Sequence, residues 1–166
     1  MNRLLKFFVL FSMIFLLTNI CYSAEKDPEK VEITKGVYLE HNTEPYIIDK
    51  LFLIASENKE YKEIFVSEGN KIEEVKTLDI DSDGNNEYLI SMFTGGSGGF
   101  YDLTIIKEQD GKWVSIWDDS MAQPSIEIEN KKGKVSIKIE HFEVINDSPK
   151  KVTSVINYEN GKFIKH

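Results

Sequence analysis
The sequence predicts an all-β, mainly antiparallel domain of about eight strands, folded as a meander or an open sandwich. Two observations carry that prediction. Short glycine-containing turns recur between apolar runs, at Gly69-Asn70, Asp110-Gly111, Lys132-Gly133 and Asn160-Gly161. Such pairs supply the positive φ that a tight hairpin needs. The runs themselves alternate: Val135, Ile137 and Ile139 face one way, while Ser136, Lys138 and Glu140 face the other. A period of two belongs to a strand with one buried and one wet face. The 166 residues suffice for one ordinary domain and fall short of two.

From the N-terminus, Arg3 and Lys6 precede an apolar run over residues 7–17, and small residues follow at Cys21 and Ser23. A charged n-region, an apolar h-region and a cleavage site make residues 1–23 a secretory signal peptide. The protein is therefore expected to be exported, as a periplasmic or secreted chain. Cleavage after Ser23 removes Cys21, the one cysteine, and leaves no disulfide. Lipidation of Cys21 is the alternative, although Ile20 stands where a small residue is wanted. Without Arg3 and Lys6 the 20 basic residues become 18 against 28 acids, a net charge of −10. An acidic domain is poorly suited to phosphate backbones or anionic membrane, so no nucleic-acid partner is expected. No second apolar run reaches the roughly 18 residues of a membrane helix, and the mature chain is not expected to be transmembrane.

Residues 24–36 are charged and keep no period, which reads as a flexible leader ahead of a single β domain over 37–166. Residues 46–54 are rich in Ile, Leu and Phe around Asp49 and Lys50. A strand and a short helix both fit a run of this length. The four turns then pair residues 64–66 with 72–78, 103–106 with 113–117, 126–128 with 135–139, and 152–158 with 163–164. Beyond His141 the apolar phase shifts to Phe142 and Val144, which predicts a bulge or bend.

The most informative stretch is Asp79-Ile80-Asp81-Ser82-Asp83-Gly84-Asn85-Asn86-Glu87. At about 4 Å each like-charge pair costs on the order of 1 kcal/mol even in water, so four carboxylates in nine residues suit a hard cation between them. Ca²⁺ takes six to eight oxygens, and alternate residues on a curling loop can supply them. Asp79, Asp81 and Asp83 would offer side-chain oxygen, Asn85 its backbone carbonyl and Glu87 the closing carboxylate, with Gly84 at the sharp turn. An EF-hand is excluded, because its twelfth position requires Glu and here is Ile90. The loop resembles the Asp-x-Asp-x-Asp-Gly-x-x-acid loop of FG-GAP and VCBS-type repeats. The resemblance continues through Leu89-Ile90-Ser91, the glycine-rich residues 95–99 and Asp110-Gly111-Lys112-Trp113, about 40 residues in all. It implies a structural Ca²⁺ held between two strands of a propeller-like blade. The Phe-Gly and Gly-Ala-Pro signatures are absent and the loop occurs once, so a single blade-like module is expected rather than a closed propeller.

Other constellations carry less. Gly95-Gly96-Ser97-Gly98-Gly99 satisfies Gly-x-Ser-x-Gly, and Asp118 or Asp119 and then His141 follow in hydrolase order. A nucleophile elbow needs a strand entering a helix, whereas residues 100–106 read as another strand. His41, His141 and His166 show no ligand spacing and read as a strand-surface, a loop and a tail residue. Trp113 and Trp117 share a parity and read as core on one face, with a sugar- or peptide-binding face as the alternative. Asp118 and Asp119 read as the cap of that strand or part of an acidic patch. Together these observations predict an exported, non-enzymatic, calcium-binding β module that binds a protein or an envelope or extracellular component. A small serine hydrolase using Ser97 is the rival reading, and an assembly subunit with a pairing edge strand is a third.

Overall fold
The computed structural model describes residues 28–43, 46–54, 60–131 and 134–166. The signal segment and the Lys132-Gly133 turn lie outside them. Among the described residues the fold is all-β and antiparallel, as the turns and alternation predict. A four-stranded sheet has the order β1-β2-β3-β4: β1 (Lys30–Thr34), β2 (Val37–Asn42), β3 (Ile48–Ile54) and β4 (Tyr61–Glu68). A seven-stranded meander runs from β5 (Lys71–Leu78) through β6 (Glu87–Gly95), β7 (Phe100–Gln109) and β8 (Lys112–Lys131). It ends in β9 (Lys134–Ile145), β10 (Ser148–Glu159) and β11 (Lys162–Lys165). β5 and β11 stand at opposite edges, so the sheet is open.

Two of the expected hairpins form where turn chemistry allows. Gly69-Asn70, however, does not pair residues 64–66 with 72–78: it carries the chain from β4 of the small sheet to β5 of the large one. Asp110 and Gly111 both hold positive φ, 51° and 77°, as do Asn160 and Gly161 at 52° and 77°. Asn146 and Asp147, at 54° and 59°, make a further turn of this kind between β9 and β10.

Several expectations are corrected. Residues 30–34, read as leader, form β1, because β2 offers it a ladder and Lys30 bonds Glu40 across it at 2.6 Å. Val31 and Ile33 stay exposed, which is why no burial pattern betrays the strand. Of the two readings open for residues 46–54, the strand holds, over 48–54. Residues 113–117 and 126–128 are not separate strands but parts of β8, which pairs with β7 along 112–122 and with β9 along 122–131. Asp118 and Asp119 therefore lie inside a strand and cap nothing. Where the two ladders meet, the β8 register slips and Gln123 takes a φ of 48°, a bend of the sort that turns a sheet's corner. The phase shift at Phe142 and Val144 is real, but the irregularity lies in β8. β9 and β10 stay in continuous register there, and the two side chains simply face outward.

Two cores result. The first joins Leu78, Leu89, Leu103, Ile105 and Met121 from β5–β8 with Val135, Ile137, Ile139 and Ile156 from β9 and β10. The second packs Val37, Leu51 and Ile64 of the small sheet against Ile72, Val75, Tyr88, Ile90, Met92 and Ile106 on the other face of β5–β7. β6 is thus covered on both sides, which accounts for its nearly unbroken apolar run. One extra residue in β8, between Ser115 and Trp117, flips its parity. Trp113 consequently packs on the second core and Trp117 on the first, and the shared face expected for them does not exist.

Candidate functional site
The acidic loop joins β5 to β6, and the pairing of Leu78 with Glu87 closes it. Ser82 and Gly84 hold φ of 60° and 86°, which curls residues 79–86 back on themselves. One oxygen from each of Asp79, Asp81 and Glu87 lies within 4.8 Å of the others. Glu87 is fully buried; its Oε2 accepts the Ile80 N–H at 2.7 Å, while Oε1 faces the ammonium of Lys107. Asp79 Oδ2 accepts the Gly84 N–H at 3.1 Å, and Asp79 Oδ1 is buried without a partner. Asp83 stands outside the converging trio, and its Oδ1 accepts the Asn85 N–H at 2.8 Å. Asn85 is exposed, and its N–H is the donor to that Asp83 oxygen.

Sequence reasoning missed Lys107. The register of β6 and β7 pairs Tyr88 with Ile106, which sets Lys107 beside Glu87. Its ammonium lies 2.5 Å from Asp81 Oδ2, 2.7 Å from Asp83 Oδ2 and 3.1 Å from Glu87 Oε1. Burial works against the Lys107 charge, but the bonds to Asp81, Asp83 and Glu87 outweigh it and raise its pKa above the ordinary lysine value. Burial raises the Glu87 pKa above the usual carboxylate value. The Lys107 bond lowers that of Asp83, with help from the Asn85 N–H. One positive charge faces four negative ones, so the loop keeps a deficit that a divalent cation would fill.

Among the described residues no hydrogen bond joins Ser97, His141 and either Asp118 or Asp119. Ser97 is exposed in the turn of a strand-to-strand hairpin. His141 is buried within β9 rather than lying in a loop, and its Nε2 donates to Glu143 at 3.0 Å while Nδ1 has no partner. His41 donates to the buried Asp49 across β2 and β3. His166 is held by two backbone bonds to Val155 at 2.8 and 2.9 Å, so the tail is not frayed. Asp118 accepts from Ser115 and Asp119 from Lys165, each at less than 3 Å. Comparison with protein-family models, curated proteins and solved structures found no match to this chain.

Proposed function
We propose that this protein is an exported, non-enzymatic β module that binds Ca²⁺ in the FG-GAP-like loop and uses the stiffened fold to engage a protein or an envelope or extracellular component. One observation carries the reading: oxygens of Asp79, Asp81 and Glu87 converge within 4.8 Å. The buried, unbonded Asp79 Oδ1 supports it, since an unsatisfied acceptor costs about 1–3 kcal/mol unless something meets it. The ion's role is structural. It takes the place now held by the Lys107 ammonium and joins β5, β6 and β7 at one end of the sheet.

Thermal unfolding in EGTA and in about 1 mM Ca²⁺, beside calorimetric calcium titration, tests this in the affinity range of extracellular modules. At about ten times Kd, linkage adds roughly 1.4 kcal/mol. For a chain of this size that is a rise in Tm on the order of 5 °C. Asp81→Ala is expected to remove the calcium-dependent rise and to cost much less in EGTA, where only a bond to Lys107 is lost. Equal melting in both buffers with no binding heat overturns the proposal.

A further inference from the structure
The geometry points to a docking edge: the outer side of β10 over residues 150–154 takes an extended acidic strand of a partner protein, laid end to end with β11. The backbone bonds define it. β10 pairs with β9 along residues 148–157 but with β11 only along 156–159, and His166 adds one more pair at Val155. Val155 and His166 exchange both of their backbone bonds, at 2.8 and 2.9 Å. Such pairs recur at every second residue of an antiparallel ladder, so Thr153 and Lys151 also turn N–H and C=O outward. Both residues are exposed, and among the described residues no strand pairs with that side of them. Pro149, which has no N–H, ends the stretch.

The other sheet edges meet the fold itself: β1 lies against β5, β4 against β8, and Asp49 takes the Ile72 N–H of β5. The open stretch of β10 instead borders exposed apolar surface. Pro149 and Lys151 pair with Val144 and Phe142 of β9, so these four side chains share one face. Pro149, Val144, Phe142 and Phe100 line a groove of about 730 Å³ there. Val144 is 77% exposed and Phe100 51%. Large apolar side chains gathered in the open beside an unpaired edge mark an interaction surface.

Charge and sterics select the occupant. Lys150 and Lys151 are the only charges on the open stretch. The acids Glu140 and Glu143 stand one strand inward, where Glu140 meets Lys151 at 2.6 Å. Lysines on an edge discourage indiscriminate pairing and leave an acidic strand as the matching one. A second copy of β10 does not fit. Pairing Lys151 with the copy's Thr153 drives the copy's Pro149 into the seat that His166 holds opposite Val155. Pairing Lys151 with the copy's Lys151 sets like charges face to face. Pairing Thr153 with the copy's Thr153 brings Lys151 to the copy's Val155, which is already bonded. The fitting partner is a separate strand that continues the direction of β11. It carries acids opposite Lys151 and Lys150 and apolar residues opposite Val152 and Pro149, the latter at the groove. The inference rests on the partner-binding half of the proposed function and not on its calcium ion.

The probe is the peptide acetyl-Thr-Thr-Val-Glu-Glu-Ile-amide, with a control in which both glutamates are lysines. Each is titrated into the ¹⁵N-labelled protein in EGTA and in Ca²⁺. The acidic peptide is expected to give saturable shifts of the Lys151 and Thr153 amides and to slow their hydrogen exchange. The lysine peptide should bind about tenfold more weakly, the worth of two cross-strand charge pairs turned from attraction to repulsion. Thr153→Pro removes one outward N–H at a position where an edge strand tolerates proline, and should abolish binding. Lys151→Glu should narrow or reverse the preference between the peptides. No saturable shift with the acidic peptide in a folded sample overturns the inference. So does equal binding of the two peptides, or binding unchanged in Thr153→Pro. Loss of the peptide response beside a calcium-dependent rise in Tm would strike the edge and leave the ion site standing.

Discussion

At the scale of single residues, Lys107 decides how the acidic loop behaves. Its ammonium sits where a cation would, bonded to Asp81 and Asp83 and 3.1 Å from Glu87. The loop is thereby partly neutralised by the chain itself, and under the proposed function Ca²⁺ would have to displace the lysine to reach the same oxygens. Lys107→Met should have two opposite effects. In EGTA it leaves the buried Glu87 carboxylate without its counter-charge and should cost about 3 kcal/mol of stability. In calorimetry it should tighten calcium binding by about tenfold, since one competing positive charge is gone. Unchanged or weaker binding would mean that the lysine helps to build the ion site instead of occupying it. The acids could be read directly from their one-loop spacing. Lys107 could not, because it lies beside Glu87 only once the β6 and β7 register is fixed.

At the scale of elements, the two sheets are joined by a polar latch as well as by apolar packing. Asp49, on β3, is fully buried; its Oδ2 accepts the N–H of Ile72 on β5 at 2.6 Å, and its Oδ1 is bonded by His41. β5 is an edge strand of the large sheet, and an edge exposes backbone groups that invite pairing with other chains. The carboxylate closes one of them. Asp49→Ala orphans the Ile72 N–H and should lower the unfolding free energy by about 1–3 kcal/mol in urea. A change below about 0.5 kcal/mol would show that packing alone holds the sheets together. The irregularities in β8 matter at the same scale. The bulge near Ile116 sends Trp113 and Trp117 into different cores, and the bend at residues 122–125 lets one strand serve two ladders.

At the scale of the whole molecule, β6 is a shared wall. Leu89 faces the core closed by β9 and β10, while Ile90 faces the core closed by the small sheet. The two cores are separated by backbone, so damage to one should not be felt in the other. Ile90→Val in the second core and Ile105→Val in the first should each cost about 0.5–1.5 kcal/mol. The double variant should show the sum within about 0.5 kcal/mol, as independent sites do. A larger coupling energy, measured by the full cycle in denaturant, would mean that the layers unfold and adjust as one packed unit.

The all-β class, most of the turns and the acidic loop were legible in the chain because each is set by neighbours in sequence. A glycine pair chooses its hairpin turn, alternation marks a strand, and crowded carboxylates mark a place for positive charge. What lay beyond the sequence depends on register. A single inserted residue in β8 reverses the face of the side chains that follow it, as far as the second irregularity at 122–125, so the shared parity of Trp113 and Trp117 gave the wrong face. β1 has little burial pattern of its own and exists through its ladder with β2. Tertiary structure alone brought Lys107 to Glu87 and Asp49 to Ile72. Pairings across strands are fixed by the summed packing of both cores, which no local stretch of sequence contains.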